Sequence, residues 1–508
     1  MEDKKKKSLV IHPFLFAIFP VFFLYAHNIH YLPIVEIVIP LGISLGITIV
    51  LWLVLGFRLN KKKSGLIVSL ALVLFFTYGH LYIFLNFDSG IESEITRQRY
   101  LLPLFIGVLI AGVVYFVRTS RELNNVTTIV NTISVTIVVI SLVNIGIFNL
   151  ERDQFIENSS ELVTQNMNLV NVGKPPNIYY IILDGYGGDK VFKKEYGYDN
   201  SEFTDFLKNS GFYIPENAHS NYIETNLSVI STLEMKHLTY LEDVAGESKE
   251  LVQLRSLLPR NKVMTELKNV GYAIVNFYSG TGKDIIDLSD LLLCTNNAIT
   301  QSRLVIQLAR TSMLYPVYAK IFVGDHRETI LCMFSELPTV SKRLDEPFFV
   351  FAHFILPHPP FIFGPNGESI TPISLELGGY DLKYKGAYID QVKFANKQIQ
   401  QVVEKILEVD NDAVIIIQGD HGSQFTMDWD NPDIEMIDER MSILNVYHLP
   451  RGGEQFLYDS ITPVNTFRVV FNAYLNGTYS YVEDKQYFST YNRPFVFNDV
   501  TEILVGNQ

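Results

Sequence analysis

Four segments of this 508-residue chain gather residue types that can do chemistry. Asp184 ends the apolar run Ile178 to Leu183, IYYIIL, and stands before Gly185. An ionised carboxylate there burdens a fold unless it is capped or bound to a cation, although Asp-Gly is also an ordinary turn. Asp420-His421-Gly422 follows a second apolar run, Ala413 to Ile417, and sets a hard oxygen beside an imidazole, a pairing that suits zinc or manganese. Two ligands do not make a site, and the Asp184 strand is placed to supply a third. Thr225, Ser228 and Ser231 recur at a spacing of three, which lines them on one face of a helix. A hydroxyl at a helix N-terminus has N–H groups nearby to hold an anion, and contact with a metal can make it a nucleophile. The competing reading is an N-cap Thr followed by two half-buried serines. His353 and His358 lie in HFILPHPPF, where a buried strand passes into a proline-stiffened loop. Such a pair can receive a phosphate or protonate a leaving oxygen, and His353, nearer the strand, reads equally as a core histidine. Gly324-Asp325-His326 repeats the tripeptide in a helical neighbourhood and is followed by Arg327, so it is read as a helix end or loop.

These residues need a scaffold that brings them to one place. Continuous apolar runs at Ile178 to Leu183, Tyr272 to Phe277, Phe348 to Phe354 and Ala413 to Ile417 read as strands buried on both faces. Between them lie helical patterns, the clearest over Tyr388 to Leu407 with Val392, Ala395, Ile399, Val402 and Ile406 along one face. The alternation predicts an α/β domain with a mostly parallel sheet covered by helices, whose ligands gather outside the carboxyl ends of the strands. Asp184 and Asp420-His421 fall at that edge. Cys294 and Cys332 have apolar neighbours and are read as buried hydrophobes in preference to a single bridge.

The first 150 residues differ in kind. Apolar stretches near 9–28, 34–56, 65–87, 101–117 and 127–149 each approach the ~20 residues that a helix needs to cross a bilayer, predicting five spans. Lys4 to Lys7, Arg58, Lys61 to Lys63, Arg118 and Arg121 fit one cytoplasmic side, with Arg97 and Arg99 opposite them. Five crossings from an inside N-terminus deliver the rest to the extracytoplasmic face of the cytoplasmic, or inner, membrane. The organisation expected is a membrane domain over 1–150, a polar linker over 151–174 and an α/β domain over 175–508. Formal charge is +5 in the first part and −18 in the second, so the second part is unsuited to a phosphate backbone and no nucleic-acid partner is expected.

An Asp after the first strand, a Thr 41 residues later at a helix start, a His-x4-His-Pro loop and a late Gly-Asp-His-Gly together resemble the alkaline phosphatase/sulfatase superfamily. With five N-terminal spans, the chain resembles the branch that contains lipoteichoic acid synthases and lipid A phosphoethanolamine transferases. The resemblance implies a sulfatase-like domain in which Asp184, Thr225, Asp420 and His421 hold a divalent metal, zinc or manganese. It makes Thr225 the nucleophile and puts His358 and His353 on the transferred phosphate. Asp184 stands where this branch usually has Glu, as on the phosphatase and sulfatase side of the superfamily. Cys294 precedes TNNA and Cys332 precedes MFSE, so the formylglycine signature is absent and sulfate-ester hydrolysis by that route is not expected. The function implied is transfer of a phospho-head group, phosphoethanolamine or glycerol phosphate, from a phospholipid donor to an envelope glycan or lipid acceptor. A phosphodiesterase or phosphatase of the same superfamily is the alternative, and an inactive envelope-assembly scaffold is a third reading.

Overall fold

The structure is a computed structural model describing residues 9–505 except 30–31, 33, 86–97, 161–174, 246–253, 255–256, 280–287, 296–301, 346, 374–379, 381 and 430. Lys4 to Lys7, Arg97 and most of the expected linker therefore lie outside the described residues, while 151–160 continue a helix. Internal contacts divide the chain into two units, one of 1–163 with 297–322, the other of 164–296 with 323–508.

The first unit is built from α1 (His12–Asn28), α2 (Val38–Gly56), α3 (Lys61–Ile83), α4 (Gln98–Arg118) and α5 (Asn124–Ser160). A helix pairs its own backbone polar groups, which is the condition for crossing hydrocarbon. Among the described residues, four segments, Ile34–Gly56, Lys61–Ile83, Gln98–Arg118 and Asn124–Phe148, are long and apolar enough to do so. Their exposed side chains are themselves apolar, as at Val50, Val54, Ile110 and Ile129. The stretch expected as the first span forms a shorter, 17-residue helix with Ala17, Val21 and Leu24 buried. Its start is capped from α5: Asn131 Oδ1 accepts from the N–H groups of Ile11 and His12 at 3.2 and 3.0 Å.

Residues 302–313 fall in the expected α/β domain, but their packing partners are these helices. Leu304 and Leu308, on the helix Arg303–Arg310, are buried in a cluster with Val21, Leu24, Tyr25, Ile29 and Leu32. Glu36 accepts from Ser302 Oγ and Leu304 N. Gly79 N donates to Thr311 O at 3.1 Å, and Met313 N donates to Phe75 O at 2.9 Å. A Cβ on Gly79 would lie 2.4 Å from backbone atoms of Arg310 and Thr311, so the close approach requires glycine.

In the second unit, β1 (Ile178–Leu183), β2 (Ala273–Phe277), β3 (Leu291–Leu293), β4 (Phe348–Phe354), β7 (Val414–Gly419) and β8 (Asn445–His448) form one sheet. Two hairpins, β5 (Phe361–Phe363) with β6 (Ser369–Ile373) and β9 (Tyr487–Thr490) with β10 (Arg493–Asp499), stand apart from it. The order in the sheet is β3-β2-β4-β1-β7-β8, parallel throughout except for β8 against β7. Alternation along β1 feeds two cores: Tyr179, Ile181 and Leu183 on one face, Ile178, Tyr180 and Ile182 on the other. That double burial is why the run is apolar without a break. Register sets Leu183 opposite both Phe354 and Gly419, so β4, β1 and β7 end together.

The favoured reading of the cysteines is corrected: Cys294 and Cys332 form a disulfide, with Cα atoms 5.8 Å apart. The fold brings these positions together from 38 residues apart, closing a loop that contains 297–322.

Candidate active site

Three adjacent strands deliver the sequence-predicted residues to one edge. Asp184 follows β1, Asp420-His421 follows β7, and His353 lies on β4 opposite Ile182. Gly185, at φ +76°, turns the chain sharply after Asp184, and its N–H donates to Asp420 Oδ1 at 3.0 Å. A Cβ there would meet the Tyr380 hydroxyl at 2.9 Å. His421 N donates to the same Asp420 oxygen at 2.9 Å. The other oxygen, Oδ2, is buried without a hydrogen-bond partner, as is Asp184 Oδ1.

His421 completes the group. Its Nδ1 lies 2.9 Å from the Gly422 carbonyl and carries the hydrogen, which leaves Nε2 with a lone pair. Burial, reinforced by the Arg440 charge, pushes the imidazole well below its ordinary range and keeps it neutral. Nε2 lies 3.5 Å from Asp184 Oδ1 and 3.4 Å from Asp420 Oδ2. With a neutral ring these are not ion pairs. They are lone pairs facing one another with no proton between, an arrangement that a cation resolves. Ligand atoms ~2.1 Å from a tetrahedral ion lie about 3.4 Å apart, so the spacing fits a divalent metal. Among the described residues, Asp184, Asp420 and His421 are the one group of this kind, and all three are buried.

Thr225 brings a third oxygen to this group. It is the first residue of α6 (Thr225–Glu234), and its Oγ1 lies 3.1 Å from His421 Nε2. The N-cap is Glu224, whose carboxylate accepts from the N–H groups of Asn226 and Leu227, so the Thr225 hydroxyl is not consumed in capping. Ser228 Oγ donates to Tyr222 O at 2.7 Å and Ser231 Oγ donates to Ser228 O at 2.9 Å, both in the interior.

Burial raises the Asp184 carboxyl, but the His358 charge and then the neighbouring His353 imidazole outweigh it, and the group stays ionised. Asp420 is pushed up to about 6, by burial first and then by the neighbouring Asp184 charge. His353 Nε2 sits 3.6 Å from Asp184 Oδ2, behind the carboxylate and 2% exposed. His358 is half-buried, with its backbone N–H on Asp184 O at 3.0 Å and its Nδ1 2.7 Å from Pro359 O. Its ring centre is 6.5 Å from that of His421. The repeated Gly324-Asp325-His326 lies inside the helix Tyr315–Glu336 rather than at a helix end, and His326 is buried, held low at about 4 by burial and then by His358.

Sequence reasoning missed Arg440. Its guanidinium is 2% exposed, with Nη1 donating to Gly422 O at 2.9 Å and Nε donating to Ile223 O at 2.8 Å. It thus ties the His421 loop to the approach of Thr225. In sequence, Asp438-Glu439-Arg440 reads as a solvated helix surface. Glu439, equally buried, accepts from Ser423 Oγ at 2.6 Å and Phe425 N at 3.0 Å.

Residues 297–467 match the sulfatase family model, a span that includes His353, His358, Asp420, His421 and Arg440 and leaves Asp184 and Thr225 upstream. No curated protein matches the chain. Among solved structures, it is similar to the zinc complex of the C-terminal periplasmic domain of EcEptC from Escherichia coli, with 12% identity over 66% of this chain and 97% of that one and a TM-score of 0.44. The integral membrane lipooligosaccharide phosphoethanolamine transferase A from Neisseria meningitidis overlaps 92% of this chain and 95% of its own length at 11% identity and a TM-score of 0.39. The phosphonate monoester hydrolase of Agrobacterium radiobacter gives 11% identity, 62% and 80% coverage and a TM-score of 0.39.

Because Asp420 must lose its proton to act as a ligand, zinc affinity measured by calorimetry should be flat above pH 6 and fall as pH drops through it, approaching tenfold per pH unit. His421 is neutral across that range and adds no second step. An affinity indifferent to pH between 4 and 7 would place the ion elsewhere.

Proposed function

We propose that this chain, which carries a sulfatase-family domain over residues 297–467, is a membrane-anchored phosphotransferase. Thr225 takes a phospho-head group from a phospholipid donor and passes it to a hydroxyl of an envelope glycan or lipid. The observation that carries this reading is a hydroxyl at a helix start, 3.1 Å from an imidazole lone pair that faces two unpaired carboxylate oxygens.

A divalent cation, zinc or manganese, held by Asp184, Asp420, His421 and Thr225 would favour the ionised hydroxyl and offset charge on the phosphoryl oxygens. Thr225 Oγ attacks phosphorus, the bond from phosphorus to the diacylglycerol oxygen breaks, and that oxygen takes a proton from His358. His358 is fit for this because Nδ1 is fixed on Pro359 O, leaving Nε2 for the substrate. An acceptor hydroxyl then attacks the phospho-Thr, returns a proton to His358 and restores the Thr225 oxygen. His353 orients Asp184 from behind and completes the basic surroundings of the phosphate. Asp184, the residue type of the phosphatase and sulfatase side, favours a second reading in which water is the acceptor, and product analysis separates the two.

The donor lipid explains the helices. A head group confined to the bilayer surface is met at high effective concentration by a domain tethered there. We place α1 as a fifth crossing, the N-terminus in the cytoplasm and everything after about residue 150 outside the inner membrane. Arg58, Lys61 to Lys63, Arg118 and Arg121 cluster at one end of the helices in support of this, and a disulfide suits an oxidising compartment.

Thr225→Ala should lower the transfer rate by several orders of magnitude, as loss of a nucleophile does, whereas Ser228→Ala, whose hydroxyl is held by Tyr222 O, should cost far less. A Thr225→Ala enzyme that keeps most of its rate would show the wrong hydroxyl has been chosen. Independently, a reporter active only in the cytoplasm should be silent when fused at Gln508, and its activity there would overturn the proposed topology.

A further inference from the structure

A cavity of about 650 Å³ opens where α2 meets α3 and α4 meets α5, at one end of the helical unit and remote in sequence from every residue of the active site. Lys61, Lys62, Lys63 and Arg121 line it, against the single carboxylate of Glu122, for a net +3. The lysines are not scattered surface charges. Lys63 Nζ donates to the carbonyls of Val117 and Thr119 at 2.9 and 2.8 Å, and Lys62 Nζ donates to Asn124 Oδ1. Neutral oxygens therefore fix both ammonium groups in place without cancelling their charge. Asn60, by accepting from Lys63 N at 3.0 Å, holds the turn that presents all three. The first residues of α3 and α5 line the cavity too, adding the positive ends of two long helices.

The walls that are not basic are apolar or amphipathic. Trp52 lies on the rim with its Nε1 on Lys61 O at 3.4 Å, and Leu9 stands 74% exposed. Beside them α2 presents Val50, Leu53 and Val54 outward, and Phe57 is 87% exposed. A basic hollow edged by Trp and bare aliphatic side chains at a helix end matches the headgroup level of a bilayer, with phosphate above and acyl chain below.

From this geometry we propose that the cavity binds the phosphate-bearing headgroup of an anionic phospholipid in the leaflet at that end of the helices. Fixed, uncompensated ammonium groups select a net negative headgroup over a zwitterionic one. The apolar rim selects a lipid over free phosphate.

The test uses the full chain in detergent, with cardiolipin, phosphatidylcholine and inorganic phosphate as probes and native mass spectrometry as the readout. Wild type should retain cardiolipin in preference to phosphatidylcholine, and excess inorganic phosphate should not displace it. The double substitution Lys61→Gln/Arg121→Gln, at two exposed side chains, should weaken cardiolipin retention roughly tenfold or more, while Lys61→Arg/Arg121→Lys retains it. The difference between these variants reports on the cavity even where the catalytic site also takes phospholipid. Equal retention of both lipids by wild type, undiminished retention by the Gln variant, or full displacement by phosphate would each overturn the assignment.

Discussion

Two carboxylates and an imidazole are driven into each other at the buried end of a parallel sheet, and the rest of the α/β unit is arranged around that conflict. Asp184 and Asp420 are 4% and 5% exposed, and each charge removed from water costs several kcal/mol unless it is compensated. Backbone N–H groups from Gly185 and His421 satisfy one oxygen of Asp420 and go no further. The remaining oxygens face His421 Nε2 at 3.4 to 3.5 Å, a distance set by where β1 and β7 end. Parallel register, the left-handed Gly185 and the neutral His421 are all conditions for three lone pairs to share one point.

Such a point is useful only if it is rigid. Arg440 supplies much of the rigidity, because one buried guanidinium bonds the carbonyls of Gly422 and Ile223, segments that carry His421 and lead to Thr225. Gly422 accepts this approach because it has no side chain: a Cβ there would stand 2.2 Å from Glu439 O and 2.7 Å from Ser442 O. Glu439 holds the following loop through Ser423 and Phe425. A buried ion whose hydrogen bonds are met adds little stability by area, and its value here is to fix one arrangement of three loops.

Much of this was legible in the residues themselves. β1 and β4 appear where the unbroken apolar runs put them, since a strand covered on both faces has no polar position. Asp184 and Asp420-His421 stood out because charge follows such runs. What escaped notice depends on distance in three dimensions. Arg440 looks like a helix-surface cation until the Gly422 and Ile223 segments close over it. The pairing of Cys294 with Cys332 rests on a 5.8 Å approach that no spacing reveals. Residues 303–310 carry too many polar groups to resemble a span, yet Leu304 and Leu308 are enough to seat that helix among α1 and its neighbours. Glu224 reads as a surface acid, and its capping role appears only when the helix is seen to begin at Thr225.

X-ray absorption at the zinc edge of the loaded, full-length protein tests the shared point most directly. The expected shell is four-coordinate, one imidazole nitrogen and three oxygens at about 2.0–2.1 Å, with one oxygen lost or replaced by solvent in Thr225→Val and the shell disrupted in Asp184→Asn. A shell without imidazole, or one unchanged by both substitutions, would contradict it.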